Sequence, residues 1–197
     1  MTAHADGPRH VWVDGRIEPA DGRHLSVFDR GFQLGDGIFE TLRAHGGAVA
    51  EIDEHLARLR ASADGLAIEL PLDTEDRLRR GIADLLAAED LAGADGDASV
   101  RITVSRGVVR TRGLLPAPGT RPTVTIQVAP VVPPAPELVA RGLHVIASEV
   151  RRDPENPVAG LKTTSRAEYV YARLEAQRAG ADDALFLTLD GHLSEAT

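Results

Sequence analysis

The chain of 197 residues contains no cysteine, and only 4% of its residues are aromatic. The lack of cysteine excludes disulfide bonds, thiolate-bound zinc and thiol catalysis together. No apolar run approaches the roughly 20 residues of a membrane-spanning helix. The N-terminal sequence MTAHADGPRH has no basic segment followed by an apolar core, so it does not resemble a signal peptide. These absences predict a cytoplasmic protein that has no membrane segment.

Basic residues are also fewer than acidic residues. The 22 Lys and Arg residues are outnumbered by 30 Asp and Glu residues, and the formal net charge is −8. Since no basic stripe is evident, nucleic acid is not an expected partner. His55 has no His or carboxylate partner at metal-ligand spacing, so a structural role is expected and no metal site is predicted. Hydrophobic residues, at 43%, are sufficient for an ordinary globular core.

The first part of the chain shows strand patterns and then helix patterns. His10–Val13, His24–Phe28 and Gly37–Ala44 are predicted strands, and Asp14-Gly15 is a hairpin-turn signal after the first of them. From Glu51 the apolar period becomes helical. Asp53 is the expected N-cap of that helix, because its carboxylate can accept an orphan backbone N–H.

A second helix is predicted from Thr74 to Leu91, with its apolar face formed by Leu78, Ile82, Leu85 and Leu86. Strand patterns follow at Val100–Ser105 and Thr123–Val128.

The Pro-rich segment 129–136, APVVPPAP, favours an extended and stiff linker. Mixed strand and helix patterns occur on both sides of it. The sequence therefore predicts an α/β protein of two domains, with an N-terminal domain at 1–128, the linker at 129–136, and a second domain at 137–197. A strand (Leu143–Ser148), a helix (Arg166–Gly180) and another strand (Ala184–Leu189) are expected in the second domain.

Lys162 is the only lysine in the chain. Arginine replaces lysine well on a protein surface, but its guanidinium cannot form a Schiff base with an aldehyde. A single lysine before a predicted helix therefore suggests amine chemistry. On composition alone the alternative is that coding bias removed the other lysines and left one by chance.

Four segments follow one another along the chain: Arg30–Thr41 (RGFQLGDGIFET), the helix segment His55–Leu59 (HLARL), the lysine segment Pro157–Arg166 (PVAGLKTTSR) and Gly191–Ala196 (GHLSEA). In this order they resemble the class IV aminotransferase family of pyridoxal-phosphate enzymes, with Arg30–Thr41 as its N-terminal signature, and the resemblance spans residues 11–197, nearly the whole chain. The family includes branched-chain and D-amino acid aminotransferases and aminodeoxychorismate lyase. The resemblance implies the two-domain fold type IV architecture, with the C-terminal domain binding the cofactor pyridoxal 5′-phosphate (PLP).

The resemblance also assigns roles to residues. Lys162 would be catalytic: it would hold the cofactor as an internal aldimine and then move a proton on the substrate. Arg58 would bind the cofactor phosphate, and Glu195 would keep the pyridine nitrogen protonated. Without the resemblance, Arg58 and Glu195 would be interpreted as solvated surface charges. The implied enzyme is a homodimer that moves an amino group between an α-amino acid and a 2-oxo acid.

Substrate choice is open between two branches of the family. The loop that follows Arg106 contains Arg110 and Arg112, which are candidate substrate-binding residues, but it lacks the Arg-x-His pair of D-amino acid transaminases. Branched-chain enzymes place a tyrosine where this chain has Ala167. Arg166 and the Arg112-Gly113 pair resemble the aminodeoxychorismate lyase branch, which releases pyruvate and 4-aminobenzoate. A non-catalytic binding protein is a third hypothesis, and the presence of Lys162, Arg58 and Glu195 argues against it.

The length of the chain differs from the family pattern. Family members continue well beyond the position of Glu195, and their continuation supplies further phosphate-binding groups. The expectation is therefore a fragment whose second domain is incomplete at the C-terminus.

Overall fold

The structure, a computed structural model, describes residues 7–197. The signal-peptide prediction concerns residues that lie in part outside this range. Contacts between residues divide the chain into two units. The first contains Met1–Val131 and Leu161–Thr164, and the second contains Val132–Gly160 and Ser165–Thr197. The short segment that contains Lys162 thus belongs to the first unit, whereas the predicted division assigns it to the second domain. The boundaries 1–128, 129–136 and 137–197 stay a prediction.

The first unit is a six-stranded antiparallel sheet covered by two long helices. The strand order is β2-β1-β6-β5-β3-β4. In chain order its elements are β1 (His10–Val13), β2 (Arg16–Pro19), α1 (Arg30–Leu34), β3 (Gly37–His45), β4 (Ala48–Val49), α2 (Ile52–Gly65), α3 (Thr74–Ala88), β5 (Asp97–Ser105) and β6 (Thr123–Pro130).

The core of this unit lies between the sheet and the apolar faces of α2 and α3. The predicted inward face of α3 is confirmed, since all four of its predicted residues are buried. Gly81 on the same helix allows a close approach, because a Cβ there would lie 2.7 Å from the indole of Trp12. The other buried members of this core include Ile38, Leu42, Leu56, Leu59, Ala63, Val100, Ile102, Val104 and Ile126.

The hairpin turn predicted at Asp14-Gly15 is confirmed, and it joins β1 to β2, a strand that was not predicted from the sequence. Val13 pairs with Arg16, and Asp14 and Gly15 between them have φ values of 49° and 104°. Two consecutive positive φ angles are typical of the tight turns that join twisted strands. The strand predicted at Gly37–Ala44 is also confirmed as β3, which ends before the turn at Gly46-Gly47.

Two local predictions were wrong. His24–Phe28 forms turns instead of a strand, and Leu25, Val27 and Phe28 in it are exposed, so their alternation does not mark a buried face. Asp53 is not the N-cap of α2, because the cap position is Glu51, in the left-handed region at φ 48°. Asp53 lies in the first helical turn, and its carboxylate accepts a hydrogen bond from Arg79.

The second unit is a three-stranded sheet with one helix packed on it. Its elements are α4 (Pro136–Arg141), β7 (Val145–Arg152), α5 (Ala167–Arg178), β8 (Asp183–Thr188) and β9 (Leu193–Ala196). β7 and β8 are parallel, and β8 and β9 are antiparallel. Tyr169 of α5 packs edge-on against Phe186 of β8, with ring centroids 5.0 Å apart. Among residues 7–197, no helix is both long enough and apolar enough to cross a membrane.

Candidate active site

The backbone around Lys162 is held by the first residues of β3. Phe39 N–H donates to the Lys162 carbonyl at 2.9 Å, and Thr164 N–H donates to the Gly37 carbonyl at 2.9 Å. From the other side, the N–H of Lys162 donates to the Ser62 hydroxyl of α2 at 3.2 Å. The peptide that carries the lysine is therefore fixed between a core strand and a core helix.

The side chain of Lys162 lies beside an aromatic ring and a carboxylate. Its Nζ is 4.9 Å from the ring centroid of Phe39, and the guanidinium carbon of Arg101 is 4.0 Å from the same centroid. Both contacts are in the range of cation–π attraction. The charge of Lys162 also contributes to a lowered pKa of Glu40, the residue after Phe39.

Glu40 is fully buried on the face of β3 that otherwise contributes apolar side chains to the core. Arg58 donates to both of its carboxylate oxygens, from Nε at 2.7 Å and from Nη2 at 2.6 Å. His55 Nδ1 is 2.9 Å from Glu40 Oε2. Burial by itself raises the pKa of Glu40, but the hydrogen bonds from Arg58 and His55 and the charges of Arg58 and Lys162 lower it below its ordinary value. Glu40 is therefore ionised.

The ionised carboxylate decides the arrangement of its two partners. An ionised carboxylate can only accept hydrogen bonds, so Nδ1 of His55 must carry a proton. This fits the structural role expected for His55. Arg58 turns its Nε and Nη2 edge toward Glu40, and its Nη1 takes no part in these bonds. The side chain of Arg58 is half exposed. It is thus both fixed by a buried anion and accessible to a ligand.

The charges of this cluster favour an anionic ligand. Arg58 and Lys162 supply two positive charges, and Glu40 supplies one negative charge. A phosphate or carboxylate group would be stabilised by the remaining positive charge and by charge-assisted hydrogen bonds from the guanidinium. Arg58 and Lys162, two of the three predicted cofactor residues, therefore lie in one cluster of the first unit.

Glu195 belongs to the second unit, on β9. Arg152 Nη2 lies 3.2 Å from its carboxylate, and the hydroxyl of Tyr169 also hydrogen-bonds to it. Burial raises the pKa of Tyr169, and the hydrogen bond with Glu195 raises it further. The side chain of Glu195 is partly exposed. Its carboxylate is therefore oriented by two neighbours while one side stays open.

Arg110 and Arg112 lie on the exposed loop between β5 and β6. The guanidinium of Arg110 stacks 5.2 Å from the ring centroid of Phe28. Gly107 begins this loop with φ 102°, and a Cβ there would lie 1.8 Å from the Arg121 carbonyl oxygen, so only glycine fits. The loop thus closes tightly at its base and presents both arginines to solvent.

Glu40 was missed as a site residue, although the sequence contains a signal for it. It occurs at an even position of β3, in phase with Ile38, Leu42 and Ala44, so a charge lies where the alternation demands an apolar side chain. Buried charges need partners, and such a residue is therefore a candidate for a site.

The geometry agrees with what sequence comparison shows. The family described as Amino-transferase class IV matches residues 37–197. The chain belongs to this family of PLP-dependent enzymes. A protein of Methanocaldococcus jannaschii with the provisional name branched-chain-amino-acid aminotransferase is 32% identical over 188 residues, which are 95% of this chain and 62% of that protein.

Two solved structures are also similar. One is described as a hypothetical aminotransferase from Mycobacterium tuberculosis in a PLP-bound form, with a TM-score of 0.78 and 29% identity. The other is 4-amino-4-deoxychorismate lyase from Pseudomonas aeruginosa, with a TM-score of 0.74 and 35% identity. The chain is covered at 95% and 94%, respectively, and spans 64% of each of those chains.

These likenesses confirm the predicted fold type IV architecture and, for the family, the predicted cofactor PLP. The residues of the first unit fit that cofactor. A primary amine, a half-exposed guanidinium and a net positive charge match an aldehyde that carries a phosphate.

Proposed function

We propose that this protein is a PLP-dependent aminotransferase that moves an amino group between an α-amino acid and a 2-oxo acid. The observation that carries the proposal is the position of Lys162. The only side-chain amine in the chain is held by β3 and α2 beside the Glu40–Arg58 pair. A lysine left by chance would not need backbone hydrogen bonds to a core strand and a core helix, or a position beside a buried carboxylate and its arginine.

Each residue then has a distinct role. Bound PLP supplies an electron sink for the α-carbon of the substrate. Lys162 Nζ would hold the cofactor by its aldehyde and would move a proton at the α-carbon of the substrate. Arg58, oriented by Glu40, donates hydrogen bonds to the phosphate. Glu195, whose carboxylate is oriented by Arg152 and Tyr169, would keep the pyridine nitrogen of the cofactor protonated.

Arg110 and Arg112 are proposed to bind the substrate carboxylate. A guanidinium can hold a carboxylate by two parallel hydrogen bonds, which fixes orientation as well as charge. Both residues are exposed on a loop whose base is closed by the Gly107 turn. The substrates would be an α-amino acid and a 2-oxo acid, and we propose that the protein is cytoplasmic.

Aminodeoxychorismate lyase activity is the second candidate. The similarity to the Pseudomonas aeruginosa lyase, at 35% identity, supports it. Arg166 and the Arg112-Gly113 pair, which resemble the lyase branch, support it as well. Both reactions would use Lys162, Arg58 and Glu195, so the difference between them lies in how the cycle is completed.

We also propose a homodimer. Apolar side chains around the N-terminal signature and the β5–β6 loop are exposed on the first unit, and we name them the apolar patch. Backbone hydrogen bonds of Val109 with Phe28 and of Arg30 with Gly107 join the two segments. The patch consists of Leu25, Val27, Phe28, Phe32, Leu34, Val108, Leu114 and Leu115.

The role of Lys162 can be tested by covalent labelling. Borohydride reduction of the protein incubated with PLP should fix one cofactor mass on the peptide that contains Lys162. Lys162→Arg is the matched control, because it keeps the positive charge beside Glu40 but cannot form the carbon–nitrogen bond. It should lose both the label and the visible absorbance. A label on the N-terminal amine alone, or no uptake of PLP by the wild type, would contradict the proposal.

The two candidate reactions differ in their need for an amino acceptor. A transaminase leaves its cofactor as an amine after one half-reaction, so it stops without a 2-oxo acid. A lyase regenerates its starting form and continues. Aminodeoxychorismate supplied without any 2-oxo acid should therefore give only trace 4-aminobenzoate, because a transaminase half-reaction keeps the amino group on the cofactor. Release of many equivalents would establish the lyase in place of the transaminase.

A further inference from the structure

A second charged cluster lies in the first unit, and its partners differ from those of the Glu40–Arg58 pair. The carboxylate of Asp36 accepts from Arg30 Nε at 2.7 Å and from Arg106 Nε at 2.8 Å. Arg30 is 4% exposed and Arg106 is 8% exposed. Burial raises the pKa of Asp36, but the hydrogen bonds and charges of the two arginines outweigh this effect and lower it.

The two arginines donate their Nη1 and Nη2 hydrogen bonds to backbone carbonyls. Arg30 donates from Nη1 to Gly113 at 2.9 Å and from Nη2 to Leu114 at 2.5 Å. These carbonyls directly follow Arg112 in the β5–β6 loop. Each of the three guanidinium nitrogens of Arg30 therefore has a partner, and two of these partners belong to the loop that carries Arg110 and Arg112.

Arg106 makes the equivalent connection to α2. It donates from Nη1 to the Ala67 carbonyl at 2.8 Å and from Nη2 to the Leu66 carbonyl at 2.7 Å. Leu66 is the C-cap of α2, where helix carbonyls lack partners and a positive charge is favourable. Through Arg106 and Arg30, Asp36 thus connects the C-terminal end of α2, the helix that carries Arg58, to the β5–β6 loop.

Backbone contacts with residues 28–30 hold the first part of the loop, up to Val109, but they do not extend to Gly113 and Leu114. Leu114 and Leu115 are 81% and 89% exposed, so they bury little apolar surface. The segment between Arg110 and Leu115 is exposed throughout. Buried charge-assisted hydrogen bonds are stronger than neutral ones, and here they act on the exposed part of the loop.

We propose that Arg30 is a positioning residue, which fixes the loop of Arg110 and Arg112 through its two hydrogen bonds to the Gly113 and Leu114 carbonyls. Asp36 and Arg106 hold Arg30 in the orientation that this requires. The effect on substrate rests on the proposed function, whereas the effect on the loop does not.

The effect on the loop can be measured with an arginine-specific protease. Arg30→Met removes the two carbonyl hydrogen bonds and leaves Asp36 paired with Arg106. Cleavage after Arg110 and Arg112 under native conditions should become at least about tenfold faster. In the wild type, local opening of the loop must break two charge-assisted hydrogen bonds, and in the variant it does not. Arg43→Met is the matched control, since it removes the pair between Arg43 of β3 and Asp97 of β5 and should leave the loop cleavage unchanged.

A conservative variant keeps the test informative if Arg30→Met does not fold. Arg30→Lys adds no cleavage site for an arginine-specific protease, and the ammonium that it introduces can reach Asp36 but cannot span two carbonyls as well. Loop cleavage should again be faster than in the Arg43→Met control. Wild-type cleavage rates in either folded Arg30 variant would overturn the proposal.

The effect on substrate is read separately. Arg30→Met should take up PLP as the wild type does, and its KM for the amino acid substrate should rise severalfold with kcat little changed. A lower kcat at an unchanged KM, with the loop released, would overturn the positioning role. If the wild type takes up no PLP, the proposed function fails, and the protease result still decides whether Arg30 holds the loop.

Discussion

Glu40 shows how a single residue can determine the geometry of a site without touching a ligand. A carboxylate buried among Ile38, Leu42 and Ala44 has lost its water and must be compensated. Arg58 compensates it with two hydrogen bonds, and His55 adds a third. Since Arg58 is half exposed, an unpaired side chain would sample many rotamers. The buried carboxylate restricts it to one orientation, with Nη1 left for a ligand.

Glu40→Gln should therefore destabilise the protein at neutral pH. The neutral amide cannot balance the charge of Arg58, and the cost should be about 2 kcal/mol, below the range for fully buried pairs because Arg58 can be rehydrated. The pKa of Glu40 is lowered in the folded chain, so its stabilising effect exists above the unfolded pKa and is lost as the pH falls through the folded value.

The measurement is urea unfolding of both proteins at a series of pH values. The difference in the free energy of unfolding should be largest near pH 7 and should shrink as the pH falls below the ordinary glutamate pKa of 4.5. Glu75→Gln is the matched control, because Glu75 pairs in an exposed position with Arg60, which lies on the same helix as Arg58. It should change stability by no more than about 0.5 kcal/mol. A pH-independent difference would refute the role assigned to Glu40.

At the scale of elements, the position of Lys162 follows from the short strand beside β3. β4 has two residues and pairs only with Ala44 and His45, at the end of β3. On the opposite side, β5 pairs along the whole of β3. The first residues of β3 are therefore open on one edge, where Ile38 forms a bridge with Thr163. A longer β4 would occupy the edge that holds the lysine segment.

The same scale shows what the sequence can predict. The period of Leu78, Ile82, Leu85 and Leu86 specifies a helix face, because the core that it faces lies on one side only. The alternation at His24–Phe28 misled the prediction, since exposed apolar residues can alternate without any sheet to cover. A local apolar pattern predicts an element correctly only when its apolar side chains are buried in the same unit. Those of α3 are buried, and those of His24–Phe28 are exposed.

The site was predictable only in its individual residues. Resemblance assigned Lys162 and Arg58 separately, and the structure brings both to the same few residues of β3. The pairing of Arg58 with Glu40 depends on the rotation of α2 against the sheet, which no local pattern specifies. The Asp36 cluster, whose partners are up to 84 residues apart, was invisible for the same reason.

At the scale of the whole molecule, the apolar patch is a feature of the first unit that a single chain does not explain. Eight exposed apolar side chains lie on two segments that backbone hydrogen bonds join. Patches of this kind mark interaction surfaces in soluble proteins. The net charge of −8 does not prevent association, because α1 between Arg30 and Leu34 carries no acidic residue. A second copy of the chain is the proposed partner.

Phe32→Glu should convert the proposed dimer into a monomer. Phe32 is 74% exposed on α1, so a charge there costs the isolated chain little but would be buried in a dimer interface without a partner. Leu72→Glu is the matched control, because Leu72 is 98% exposed on the loop between α2 and α3, outside the patch. Sedimentation at micromolar concentration should give twice the mass of one chain for the wild type and for Leu72→Glu, and one chain for Phe32→Glu. An interface of above about 1,000 Å² is needed for such stability. A monomeric wild type, or a Phe32→Glu protein that remains dimeric, would show that the patch has another purpose.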